Sequence, residues 1–428
     1  MHGAEYLPFA ERGAYSPDTL SAFYAHLRQQ DHAGFVDERT GYHVVHRYQD
    51  VGQLLKGHSV VGDTPDSAID NSTTLDPYVS KARIASNPAC WQGLANLVRY
   101  TTPATANAAG ETHRIVKRAV YDGESLTSLN RSFTERNYGR HVERVAQLSI
   151  QNLKQQFESQ EVVDLSEAFV RPYVTNVIAK VVGFEGHDDE IKEWSDAQSA
   201  LLGRDLSRKE LSAAISGLGG LARACHDLAL SRRLRPQKDL TSLMVGPKHH
   251  LEPVLAGSTI MNLIAAGYAT TYGTLLNSMR YLSTSQGRHH WDRLDEAGYN
   301  KVLVPELTRM ETGLVGWRRK AAHAIELSDG SFIEAGRNIL LLIGAANRDA
   351  VFESPDTFDV TRARAPQQLS FGRGPHLCMG RELANLEMGV ALRALRRAFP
   401  TLRVLPTAEI QYDPDMLFRT PQELPVIR

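Results

Sequence analysis

The stretch Phe371-Gly372-Arg373-Gly374-Pro375-His376-Leu377-Cys378-Met379-Gly380 sets a lone cysteine among three glycines. Glycines let a backbone approach a flat partner closely. The adjoining stretch, GRELANLEMGVALRALRRAFP, reads as a strong helix, with Leu383, Leu386 and Val390 on one stripe that Met388, Leu392, Leu395 and Phe399 broaden. A thiolate at a helix N-terminus is favoured by the helix dipole, and a bound metal strips the thiol proton in any case. The loop therefore suits a cysteine-ligated iron. Taken alone, it also fits a buried structural cysteine.

Working back from the loop, NILLLIGAANRD reads as an apolar strand, and RKAAHAIELSDGSFIEAG as an alternating stretch with a Ser-Asp-Gly turn; a short helix after Val302 precedes them. Residues 253–279 carry no charge, yet Asn262, Thr259, Thr270, Thr271 and several glycines interrupt the apolar content. A membrane span fits that length but not that polarity, so a central helix buried in a large core is the better reading. Helical patterns dominate from His113 to about Ser285, whereas residues 62–110 read as a long loop region with short helical pieces. The opening segment is mixed: a helix over residues 18–30, then a strand and short helix in GYHVVHRYQDVGQLLKG.

The chain has 428 residues, 42% hydrophobic and 23% charged, with a net charge of -1. That composition buries a large core and gives no reason to expect nucleic acid or an anionic membrane as partner. The first thirty residues hold no apolar run of signal-peptide length, so a cytoplasmic location is expected. Cys90, Cys225 and Cys378 are too few and too far apart for a disulfide framework or a paired zinc motif. With no repeat or low-complexity linker, residues 1–428 are expected to form one domain. His249, His250, His289 and His290 lie in polar stretches and are expected to face solvent.

The cysteine loop resembles the heme-binding loop of the cytochrome P-450 family, Phe-x-x-Gly-x-x-x-Cys-x-Gly, matched by Phe371, Gly374, Cys378 and Gly380. Glu306 and Arg309 stand as in the family's Glu-x-x-Arg motif, and Arg362 in FDVTR resembles the third member of that ion-pair cluster. AANRD, HVVHRYQDVGQLL and the closing ELPVIR extend the likeness over residues 16–428. The resemblance implies a mainly α fold with small β-sheets (α+β), a triangular helical prism around a buried heme b. It makes Cys378 the axial iron ligand, Phe371, Gly372 and Gly380 parts of the heme loop, and His113, Lys117, Arg319 and His376 the partners of the heme propionates. Lys117 stands where arginine is usual, which keeps the charge but not the forked contact. The ion-pair cluster would hold the heme loop in place.

In the family the oxygen-activating helix carries Ala-Gly-x-(Asp or Glu)-Thr. This chain reads Ala266-Gly267-Tyr268-Ala269-Thr270: the threonine matches and the acid does not. A mid-helix glycine costs about 1 kcal/mol relative to alanine, so close approach to the heme face is the expected reason for Gly267. Dioxygen cleavage needs protons, which Thr270 can help deliver and Ala269 cannot. The implied activity is a monooxygenase that hydroxylates, couples or cyclises a small natural-product intermediate. Its electrons would come from a separate ferredoxin or flavodoxin and its reductase, docking on Arg114, Lys117, Arg118, Arg373, Arg381, Arg396 and Arg397. Substrate contacts are expected from residues 62–110 and from Asn262, Ala266, Ala269, Trp317 within residues 314–318, and Pro421. A peroxide-using or isomerising heme-thiolate enzyme, or a non-catalytic heme-binding sensor, are the rival readings.

Overall fold

The computed structural model describes residues 15–428 apart from 57–82, 85, 106–107, 109, 124, 126, 131–132 and 363–366. Most of the 62–110 stretch expected to contact substrate thus lies outside the described residues. A chain whose middle repeats apolar residues at helical spacing can bury them only by stacking helices on one another. Arg171–Val182, Asp188–Gly203 and Arg208–Leu234 pack directly on the 30-residue helix Pro253–Leu282. Thr134–Ser159 lies outside them, against Arg171–Val182 and Arg381–Ala398. Pro253 opens the central helix, where its missing N–H would be unpaired anyway. That helix is buried on most of its surface, which is why its middle tolerates no charge. Among the described residues, no helix is long and apolar enough to cross a membrane.

Three small sheets flank the helices. Strands β1 (Gly34–Val36), β2 (His43–Val45), β7 (Asn338–Leu341) and β4 (Trp317–Lys320) form one in the order β1-β2-β7-β4, with β2 and β7 parallel and the other pairs antiparallel. The apolar NILL run is β7, an inner strand. The Ser-Asp-Gly turn joins the hairpin β5 (Ile325–Glu326) and β6 (Phe332–Ile333), with Gly330 at φ +82°. Strands β3 (Val163–Asp164), β9 (Pro425–Ile427) and β8 (Arg403–Val404) bring the chain end back to the helices. One apolar core runs from Tyr15 to Val426. Within residues 62–110 the structure shows a full helix, Trp91–Tyr100, packed on Arg208–Leu234.

Two of the four histidines expected in solvent are not there. His290 is 4% exposed and its Nδ1 lies 2.5 Å from the Tyr299 hydroxyl, while the His249 side chain, 7% exposed, holds the buried Asp122 carboxylate at 2.8 Å. A polar neighbourhood in sequence does not report which tertiary partner a histidine meets. Burial, then the neighbouring His289 and Arg293, pushes His290 down to about 4; burial, then His32 and Arg47, pushes His46 to about 3. From the usual value near 6.5 downward, the unfolded chain takes up protons that the fold refuses. Stability should therefore rise with pH between about 4 and 6.5 and be lost as pH falls through that window, by up to about 1.4 kcal/mol per pH unit for each histidine. Urea midpoints from pH 7 to 4 check this: the acid slope should be shallower in His290→Asn than in the parent, and equal slopes would refute it.

Candidate functional site

The cysteine loop turns where its glycines permit. Gly372 and Gly374 sit at φ +71° and +76°, and a Cβ on Gly374 would come within 2.9 Å of the Lys56 Cα. The Cys378 N–H then donates to the Phe371 carbonyl at 2.8 Å, closing the loop before Arg381–Ala398 begins. Burial pushes the Cys378 thiol up, opposed by hydrogen bonds from the Gly380 and Arg381 N–H groups and by the Arg381 guanidinium. Those donors are the orphaned amides of a helix N-terminus, and they favour the thiolate once a metal removes the proton.

The loop's carbonyls are gripped from one side by the helix Gly110–Val120. His113 Nε2 and Lys117 Nζ lie 3.1 and 2.7 Å from the Pro375 oxygen, and the Tyr121 hydroxyl donates to the Cys378 oxygen at 3.1 Å. The His113 ring centroid is 4.1 Å from that of His376. His113 Nδ1 lies 3.2 Å from the Thr105 oxygen, so both of its nitrogens face carbonyl acceptors. Burial, His376 and Lys117 push its pKa down. A basic cluster of this kind suits an anionic ligand. Arg319 lies on β4, its guanidinium bonded to the Arg318 carbonyl at 3.0 Å and set over the Trp317 ring.

A second set of contacts fixes the loop from behind. Glu306 and Arg309 are both fully buried in the helix Asn300–Met310 and share two hydrogen bonds of 2.8 and 2.7 Å. The remaining capacity of Glu306 takes the Asp359 N–H at 3.0 Å and Arg362 Nε at 3.3 Å, while Arg309 donates to the carbonyls of Asn347, Pro355 and Thr357. Asn347 carries the link onward: its amide oxygen accepts from the Leu369 N–H at 2.7 Å and its nitrogen donates to Ser370 Oγ at 2.8 Å, directly before Phe371. The pair is a fully satisfied buried network attached to the loop.

On the central helix, Asn262, Ala266 and Thr270 are open while most neighbours are buried, and Ala266 is exposed outright. Four-residue spacing makes them one stripe. Thr270 Oγ1 donates to the Ala266 carbonyl at 2.6 Å, and Asn262 Nδ2 to the Ala104 carbonyl at 3.3 Å. A Cβ on Gly267 would meet Ile178 Cδ1 at 3.0 Å, so this glycine makes room for the helix Arg171–Val182. Ala269 is only 8% exposed and belongs to the apolar core, not to the open stripe. An acid there would be buried among apolar side chains, so its absence relieves the core of a charge. Trp317 is half-buried on β4, and Pro421 is buried and bridged to Tyr412.

These residues fit a heme. The sulfur has amide donors, the basic cluster suits two propionates, an open helix stripe offers a face, and among the described residues a Cβ on Gly380 would meet nothing closer than Cys378 Sγ at 3.9 Å. Sequence reasoning missed Tyr121 and gave Asn347 no role; for Tyr121 the one signal was its place eight residues after His113.

A mainly helical fold carrying a glycine-turned cysteine loop, a buried Glu-Arg-Arg cluster and a basic helix face defines a heme-binding enzyme. Residues 256–423 match the family model described as Cytochrome P450. The chain is 32% identical over 287 residues to the biotin biosynthesis cytochrome P450 of Bacillus subtilis, covering 65% of this chain and 70% of that one. It is 30% identical to the mycinamicin IV hydroxylase/epoxidase of Micromonospora griseorubida, covering 69% and 75%. Nocardicin C N-oxygenase of Nocardia uniformis is also 30% identical, covering 75% and 84%. Among solved structures, cytochrome P450 CREJ in complex with (4-ethylphenyl) dihydrogen phosphate superposes with TM-score 0.83 at 24% identity over 99% of both chains, which shows the shared fold. P450BioI in complex with a fatty-acyl-loaded acyl carrier protein superposes with TM-score 0.78 at 25% identity, covering 97% and 100%. The chain belongs to the cytochrome P450 family: it is a monooxygenase of the bacterial type with heme as its cofactor, and it has relatives in natural-product biosynthesis.

Proposed function

We propose that the protein is a one-domain heme-thiolate monooxygenase that oxidises a medium-sized, partly polar natural-product intermediate in the cytoplasm, with Cys378 as the iron ligand. The observation that carries this is Cys378, set where a glycine-turned loop meets a helix N-terminus and braced from both sides. Names such as mycinamicin IV hydroxylase/epoxidase and nocardicin C N-oxygenase among the relatives support the substrate class.

When bound, the heme supplies the iron at which dioxygen is activated with two electrons. The chain's own residues do the rest. His113, Lys117, His376 and Arg319 would hold the propionates. Thr270 has committed its proton to the Ala266 carbonyl, so its oxygen accepts a hydrogen bond from a water or substrate hydroxyl and holds that donor on the open stripe. With no acid at Ala269, protons arrive through such waters or through polar groups of the substrate. Asn262, Ala266 and Trp317 border the substrate, with Pro421 behind them.

Electrons come from a separate ferredoxin or flavodoxin on the cysteine side. Arg118 and Arg373 belong to the docking face, with Arg114 paired to Glu111 at 2.7 Å, Arg381 to Glu382 at 2.9 Å, Arg397 to Asp295 at 2.8 Å and Arg396 3.7 Å from Asp292, so that a partner's acids compete with those carboxylates.

Thr270→Val is expected to cut product per electron roughly tenfold, less than the ~10²-fold typical of a lost acid-base group because water still enters. The measurement is product and hydrogen peroxide per NADH with a surrogate ferredoxin system. Unchanged yield with a substrate that converts the iron spin state would remove Thr270 from the proton path. Turnover of that substrate by peroxide but not by the ferredoxin system would favour the peroxide-using rival.

A further inference from the structure

His113, Lys117 and Tyr121 recur every four residues, so they share one face of the helix Gly110–Val120 and its last bonded residue; the Tyr121 N–H still donates to the Lys117 carbonyl at 2.9 Å. The first two side chains meet the Pro375 carbonyl, and Tyr121 alone meets the carbonyl of the cysteine itself, at 3.1 Å. The far end of this face is pinned. Asp122, next in the chain and 5% exposed, is held by Lys248 and His249 at 2.8 Å each, so the tyrosine ring is presented to the loop from a fixed base.

A peptide group is planar. Holding the Cys378 oxygen therefore sets the plane of the Cys378–Met379 peptide and, through it, the start of the turn that carries the Gly380 and Arg381 N–H groups onto the sulfur. Remove the hydroxyl and the Cys378 carbonyl loses that donor; the loop is then held at Pro375, Phe371 and Leu369 but no longer at the cysteine peptide itself.

We infer that Tyr121 is a positioning residue for the axial ligand, fixing through the Cys378 carbonyl the turn that keeps two backbone donors on the sulfur. This rests on Cys378 being the iron ligand. Tyr121 does not touch substrate, and its effect is on how long the ligand stays in place.

The test uses the full-length, heme-loaded protein and two conservative variants. Tyr121→Phe removes the hydroxyl at the cysteine. Tyr173→Phe removes a similar bond, 2.9 Å to the Glu387 carbonyl, from the same helix Arg381–Ala398 further along. The reduced carbon-monoxide complex is held at a fixed temperature below unfolding, and the first-order loss of its thiolate-type Soret band is timed. Because the band comes only from protein that carries heme, incomplete loading of a variant does not obscure the rate. Tyr121→Phe should lose the band about fivefold faster than the parent, the factor that one ordinary hydrogen bond is worth, while Tyr173→Phe keeps the parent's rate. A parent-like rate in Tyr121→Phe, or equal acceleration in both variants, overturns the inference. A parent that shows no thiolate-type band at all overturns the ligand assignment instead, which is a separate result.

Discussion

Cys378→Ser is expected to abolish the strongly red-shifted Soret band of the reduced carbon-monoxide complex and, with it, oxidation of any substrate. Serine is slightly smaller and introduces no clash, so the loop has no steric reason to move. What is lost is the soft anionic sulfur, since an alcohol is not deprotonated as a thiol is and ligates iron poorly by comparison. The parent should show the band and the variant should not, in protein matched for heme content. A variant that retains it would mean that another residue ligates the iron; Cys90 and Cys225 are both fully buried elsewhere and do not lie on the loop.

Glu306→Gln is the second change with a large expected effect. The carboxylate takes two bonds from Arg309, one from the Asp359 N–H and one from Arg362, all in a site with no exposure to water. An amide keeps one acceptor oxygen and points N–H groups at the guanidinium, so a buried cation is left without its counter-charge. Breaking one partner of such a pair costs ~3–5 kcal/mol, against a total stability of ~5–15 kcal/mol. Because Asn347 passes the arrangement to Leu369 and Ser370, heme retention should fall along with stability. Urea midpoint and heme content of the purified variant are the measurements. Arg309→Lys should fail nearly as badly, since an ammonium cannot reproduce the forked contact or reach three carbonyls. A midpoint within about 0.5 kcal/mol of the parent would show that the pair does not brace the loop.

Part of this was legible in the linear sequence because it is local. Three glycines around one cysteine, an i, i+3 acid and arginine, a long helix uncharged over residues 253–279 and a Ser-Asp-Gly hairpin each arise from neighbours in the chain, where periodicity and turn chemistry act. The helix Trp91–Tyr100 was read only as one of several short helical pieces, although Trp91, Leu94, Leu97 and Val98 recur at helical spacing, because the stretch around it is irregular.

The order of residues along the chain was enough to set the class of fold, the cysteine as the site's centre and the residue types gathered near it. Which way those residues face was decided by packing alone. A Cβ on Gly267 would meet Ile178, and Ala269 meets the core, because the rotation of the central helix is set jointly by the helices packed on it. Tyr121 meets Cys378 across 257 positions of chain, and His249 closes on Asp122 across 127. Polar side chains carry no periodic record of their partners. Contacts made so far apart along the chain exist only once packing has placed both ends.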